Sequence, residues 1–118
     1  MLIEIDFRDK RPIYEQIVGR IENLMIQGII KPGDTIPSVR SLAMELSINP
    51  NTIQKAYSRL EKDGYIYSVS GRGSFASNIS SLLPGKKQEV LDKLKDIVLE
   101  ASDIGMEKDE LIKYIGEM

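Results

Sequence analysis

The chain has 118 residues, with 16 Lys and Arg against 18 Asp and Glu for a net charge of −2, and it contains neither cysteine nor histidine. That length holds one domain plus an appendage, and the missing Cys and His exclude disulfides, thiolate or imidazole metal sites and thiol or imidazole catalysis, so no zinc or copper site and no cofactor is expected, and the appendage has too few residues for a fused catalytic domain, so no enzyme is expected. The start Met1-Leu2-Ile3-Glu4-Ile5-Asp6 lacks a charged-then-apolar signal pattern and no apolar run approaches the roughly 18 residues of a membrane span, so a soluble cytoplasmic protein with no membrane partner is expected.

In chain order, the first predicted helix covers residues 12–27, with Ile13, Ile17, Ile21 and Leu24 on one face and Gly28 as its stop. Pro32-Gly33 fits the central pair of a type II turn that returns the chain toward Ser38. From Val39 to Ala56 the apolar residues fall at Leu42, Leu46, Ile48, Ile53 and Ala56, with a polar turn at Ser47 to Asn49 between two short helical patterns. This is the layout of a helix-turn-helix, in which small Ala43 lets the second helix cross close by. Ser38 is placed to cap the first of these helices through its hydroxyl. Asn49-Pro50 opens the second, because a proline at the first helical position gives up an N–H that had no partner inside the helix. The outward face of that second helix carries Asn51, Gln54, Lys55 and Ser58, groups that reach base edges and phosphates. A five-position spacing match alone is about as consistent with an ordinary helical hairpin; the two caps, the turn and the following segment favour the helix-turn-helix.

Gly64 ends the helix, Tyr65 to Val69 reads as a strand, Ser70-Gly71-Arg72-Gly73 as a tight turn and Ser74 to Ala76 as the returning strand. A helix-turn-helix followed by such a hairpin is a winged helix. Arg72, between two glycines, is placed to enter a minor groove or meet a phosphate, the bland alternative being a solvated turn residue. Tyr14, Tyr57 and Phe75 are assigned to packing rather than to base stacking. Ser80-Ser81-Leu82-Leu83-Pro84-Gly85 reads as a linker, after which residues 86–101 resume helical period with Leu91, Leu94, Val98 and Ala101. Gly105 interrupts, and Leu111, Ile112, Ile115 and Met118 mark a second short helix. Two amphipathic helices of this length do not bury their stripes alone. They either fold back on the winged helix or form a homodimer seam through Leu91, Leu94, Val98, Ala101, Leu111 and Ile115, and the seam is favoured.

Five segments, Pro12-Ile13-Tyr14-Glu15-Gln16-Ile17, residues 28–40 with Pro37-Ser38-Val39-Arg40 at their end, Asn49-Pro50-Asn51-Thr52, Leu60-Glu61-Lys62-Asp63-Gly64 and Gly71-Arg72-Gly73-Ser74-Phe75, resemble the N-terminal domain of GntR-family transcription regulators over roughly residues 5–77. The short chain and the start Ile3-Glu4-Ile5-Asp6 are similar to the YtrA-type subfamily, whose members carry only a small helical tail for dimerisation. The resemblance implies that Arg40 contacts DNA backbone or base, that Asn49, Asn51, Thr52 and Gln54 reach the major groove, and that Gly71 and Arg72 approach the minor groove. Ser47 departs from the family, where a glycine is common; a left-handed Ser costs on the order of 1 kcal/mol.

The expected architecture is thus α+β and mostly α, a winged helix-turn-helix over residues 1–79 with a C-terminal helical hairpin over residues 80–118. Charge agrees: residues 1–79 hold ten basic against nine acidic residues, net +1, and residues 80–118 hold six against nine, net −3. Between Ser38 and Arg72 five basic residues, Arg40, Lys55, Arg59, Lys62 and Arg72, face three acidic ones, Glu45, Glu61 and Asp63. This modest patch implies a dimer engaging two half-sites of double-stranded DNA. The expected function is a homodimeric repressor on a pseudo-palindromic operator, with the resemblance suggesting a transporter operon and leaving room for an unidentified small-molecule effector. The alternative is a winged helix that contacts protein or RNA inside an assembly.

Overall fold

A computed structural model describes residues 3–118; Met1 and Leu2 of the N-terminal reading lie outside the described residues. The order is α1 (Ile13–Ile26), β1 (Thr35–Ile36), α2 (Val39–Leu46), α3 (Pro50–Lys62), β2 (Ile66–Val69), β3 (Gly73–Ala76), α4 (Leu83–Asp103) and α5 (Lys108–Gly116). Two compact units result, the first ending at Ser81 and the second spanning Leu82–Met118.

In the first unit α3 packs against α1, α2 and β2. Ile17, Ile21, Leu42, Ile53 and Leu60 are fully buried at the centre, and deletion of such side chains costs about 2–5 kcal/mol each. The buried face of α1 is turned slightly from the expected one: Val18 and Met25 join Ile17 and Ile21 inside, while Ile13 and Leu24 are half-buried. Gln16, also buried, explains how the incoming chain is held. Its Oε1 accepts from the Asp6 N–H at 2.9 Å and its Nε2 donates to the carbonyls of Asp6 at 3.0 Å and Arg11 at 3.2 Å. A buried amide so paired carries little desolvation penalty.

Three helices of this unit end in one way. After α1 the N–H of Ile29 bonds to the Leu24 carbonyl and that of Gly28 to Met25; after α3, Tyr65 bonds to Leu60 and Gly64 to Glu61. The residue at the bend is left-handed, a region glycine enters without a Cβ penalty. After α2 the same bonds run from Ile48 to Ala43 and from Ser47 to Met44, but the bend residue is Ser47, with φ 54° and ψ 46°. It is the only left-handed residue other than glycine among the described residues.

The sheet has the antiparallel order β1-β3-β2, with Ile36 opposite Ser74, Ile66 opposite Ala76 and Tyr67 opposite Phe75. Alternation therefore sends Ile36, Ile66 and Ala76 into the core and Thr35, Tyr67 and Phe75 outward. Strand β1 was not evident in the sequence, because two residues carry no period; it exists because β3 offers it an edge. The turn before it has the expected form, with the Asp34 N–H bonded to the Lys31 carbonyl at 3.0 Å and Gly33 at φ 85°. Of the three aromatics assigned to packing, only Tyr57 is in the core; Tyr14 and Phe75 are half-buried, and the Phe75 ring stacks on Tyr67 at 5.8 Å.

In the second unit α4 begins earlier than expected. Leu83-Pro84-Gly85 forms its first turn rather than part of a linker, since proline has the φ of a helix start and lacks an N–H that would have no partner there. Gly105, at φ 85°, closes the helix, with the Met106 N–H bonded to the Ala101 carbonyl at 2.9 Å. Helix α5 ends at Gly116, leaving Met118 beyond it.

Candidate nucleic-acid interface

The two helix starts are built by side chains. Ser38 Oγ accepts from the Ser41 N–H at 3.0 Å, and Asn49 Oδ1 accepts from the Asn51 N–H at 2.8 Å with Pro50 in the first turn. Each cap satisfies an orphan donor and is worth about 1 kcal/mol. One lone pair of the Asn49 oxygen is thereby committed to the cap, leaving the other and the two amide N–H donors for a ligand. Tyr57 ties the start of α2 to α3, its hydroxyl donating to the Pro37 carbonyl at 2.7 Å. Burial, and to a lesser degree the charge of Glu45, raises this phenol well above its ordinary range, so it stays a donor at neutral pH.

With Ile53, Ala56, Tyr57 and Leu60 buried, α3 presents Asn51, Gln54, Lys55 and Ser58 to solvent, and Thr52 is half-buried at its edge. Gln54 Nε2 donates to Ser58 Oγ at 3.1 Å, which orders the amide and leaves its carbonyl oxygen open as an acceptor. Arg40 is exposed in the first turn of α2. The Lys55 ammonium lies over the Tyr14 ring, 4.0 Å from its centroid. No local pattern in the sequence shows this partner, because residues 14 and 55 meet only through the packing of α1 on α3. Arg59 is 3.7 Å from Asp63 on the same helix and both are exposed, a pair that contributes little.

Arg72 is exposed at the wing tip, its N–H bonded to the Val69 carbonyl at 2.9 Å across a turn with Gly71 in the third position at φ 76°. Nothing lies within 4 Å of where a Cβ would stand at Gly71 or Gly73. Backbone conformation, not crowding inside the protein, therefore makes glycine suitable here, and it leaves the tip slim.

The second unit exposes apolar surface instead. A groove of about 730 Å³ is lined by Leu94, Ile97, Ala101, Ile104, Leu111 and Ile115 among others, and a second of about 380 Å³ by Leu91, Leu94, Val98, Leu111, Ile112 and Ile115 with two lysines. Of the six residues assigned to a seam, Ala101 is buried inside the hairpin, Val98 and Leu111 are half-buried, and Leu91, Leu94 and Ile115 are exposed. Ile97 and Ile104, 56% and 73% exposed, were not singled out in the sequence although they continue the stripe by one step of seven. No described helix is long and apolar enough to cross a membrane.

The profile of bacterial regulatory proteins of the gntR family matches residues 13–75, from the start of α1 into β3, the central strand of the sheet. Over 99% of its length the chain is 41% identical to the HTH-type transcriptional repressor YtrA of Bacillus subtilis (strain 168), covering 92% of that protein. A solved structure described as a transcriptional antiterminator from Listeria monocytogenes EGD-e superposes with a TM-score of 0.80 at 35% identity, over 99% of this chain and 89% of that one. The DNA-binding domain of AraR in complex with operator ORE1 superposes with a TM-score of 0.55 at 30% identity, over 65% of this chain and 94% of that one. The chain belongs to the gntR family of bacterial regulatory proteins, as a winged-helix, DNA-binding transcription regulator similar to YtrA and not an enzyme.

Proposed function

We propose that this protein is a cytoplasmic, homodimeric, sequence-specific repressor that sets one α3 into each of two major grooves of a pseudo-palindromic operator. The observation that carries it is the exposed polar face of α3, capped at its start, with Arg40 exposed on α2 and Arg72 exposed at the wing tip, on a fold similar to a domain solved on its operator. Asn51 and Gln54 have the donors and acceptors that read base edges, Thr52 and the Asn49 amide support them, and Arg40 and Lys55 supply charge to phosphates. At the wing, Gly71 lets Arg72 approach the minor groove.

Residues 1–79 act in this reading as the DNA-binding domain and residues 80–118 as the dimerisation tail. At 100° per residue, Val90, Leu91, Leu94, Ile97, Val98, Ala101 and Ile104 span an arc of about 140° of α4. The shorter α5 covers only part of that width, and a second hairpin would cover the rest as a four-helix arrangement. Two-fold symmetry of the protein then imposes near-symmetry on the site. The resemblance of the short chain to YtrA-type regulators is the ground for proposing a transporter operon as its target, with any small-molecule effector bound without a dedicated domain.

Selection by the full-length protein from a mixed pool of randomised DNA duplexes and RNA tests this. Enrichment of an inverted repeat in duplex DNA is expected. Enrichment of RNA, or of single half-sites without symmetry, overturns it and favours the assembly or RNA module, a reading that the likeness to a chain described as an antiterminator keeps in view.

A further inference from the structure

We propose that Tyr14 is a positioning residue for DNA binding, a neutral platform that holds the Lys55 ammonium ready for a phosphate of the duplex. The inference rests on the DNA-binding reading above and extends the interface from α2, α3 and the wing to the start of α1.

The geometry has three parts. Lys55 Nζ stands 4.0 Å from the centroid of the Tyr14 ring, within the range where the ring quadrupole attracts a cation. Lys55 is exposed and, among the described residues, has no carboxylate in ion-pair range. Tyr14 is half-buried, in the first turn of α1 with Ile17 one turn on in the core, and its hydroxyl bonds Glu15 Oε1 at 3.3 Å. A free lysine on a helix surface samples many rotamers, and ordering it on a phosphate has an entropic cost. A carboxylate partner would remove that cost but would neutralise the ammonium and compete with the phosphate. An aromatic ring orders the chain without discharging it. It faces the ammonium from one side, so the N–H bonds directed away remain donors.

The pairing predicts a signature separable from an ordinary packing role. With the full-length protein and a duplex of about 30 base pairs of arbitrary sequence, Tyr14→Leu should weaken binding roughly two- to fivefold, the value of an exposed cation–π pair. The salt dependence should be unchanged, because no charge is lost. Tyr14→Phe, which keeps the ring, should bind like wild type. Lys55→Ala should lower the salt slope by about one unit, and adding Tyr14→Leu to it should weaken binding no further. In the free wild-type protein the Lys55 Hε protons should be shifted upfield by the ring current, a readout that needs no variant to fold.

The proposal is overturned if Tyr14→Leu binds more tightly, if its loss is undiminished in the Lys55→Ala background, if Phe behaves like Leu, or if the Hε shifts have ordinary lysine values. Failure of the wild type to bind duplex in a salt-dependent way would instead overturn the DNA-binding reading itself, and is distinguishable because it precedes any comparison of variants.

Discussion

At the scale of single residues, Ser47 is where local chemistry and the fold disagree most. Its φ of 54° puts a Cβ where glycine has none, a strain of about 1 kcal/mol or somewhat more. Ser47→Gly should therefore stabilise the protein by about 1 kcal/mol, or about 4–8 °C in melting temperature for a domain of this size, with DNA affinity unaltered; a calorimetric scan decides it. Arg40→Ala should leave the circular dichroism spectrum intact and cost about 1–3 kcal/mol of operator binding through lost charge-assisted bonds. Unchanged affinity would remove Arg40 from the interface. Tyr57 gives a pH effect. Its phenol is held above the ordinary value of 10.0 by burial, so the folded state keeps a proton that the unfolded chain releases. Its contribution is complete below that value and is lost as pH rises beyond it. Thermal melts between about pH 9 and about pH 11 should show a larger loss for wild type than for Tyr57→Phe. Equal losses would place the alkaline sensitivity elsewhere.

At the scale of elements, the proposed function puts two kinds of contact on α3. If Asn51 and Gln54 read base edges, replacing either with Ala should relax preference at particular operator positions, whereas Lys55→Ala should weaken all sequences alike. Binding selections with each variant test this, and identical sequence preferences for wild type and the Asn51 and Gln54 variants would exclude those two from readout. The start and end of α3 were legible in the sequence, because Asn49-Pro50 and Gly64 act on the residues beside them. Strand β1 was not. Two residues show no alternation, and Thr35-Ile36 is extended only because β3 has a free edge. The start of α4 differs from the sequence expectation for a related reason: Pro84-Gly85 has the composition of a linker, yet it stands in the first turn of the helix, where proline gives up no helical hydrogen bond.

For the whole molecule, ten of the sixteen basic residues lie in residues 1–79 and the open apolar grooves in the tail, so the proposed function divides DNA contact and association of two copies between different units. Replacing Leu94 and Ile115 together by Asp should make the protein mostly monomeric, since both are exposed on apolar grooves of the hairpin. Operator affinity should fall by roughly 10²–10⁴-fold, the factor lost when two half-sites are no longer linked. Sedimentation decides the matter. A dimer persisting at micromolar concentration would mean that the winged helices associate directly and that the tail has another task.

The caps at Ser38 and Asn49, the stops at Gly28, Gly64 and Gly105, the wing turn and the apolar spacing of α2 and α3 were determined by the sequence itself, because each depends on interactions within about six residues along the chain. Tertiary structure alone decided the third strand, the outward placement of Phe75, the rotation of the α1 core face toward Val18 and Met25, and the meeting of Lys55 with Tyr14. These depend on which surfaces face each other once α1, α3 and the sheet have packed, and no local pattern encodes that.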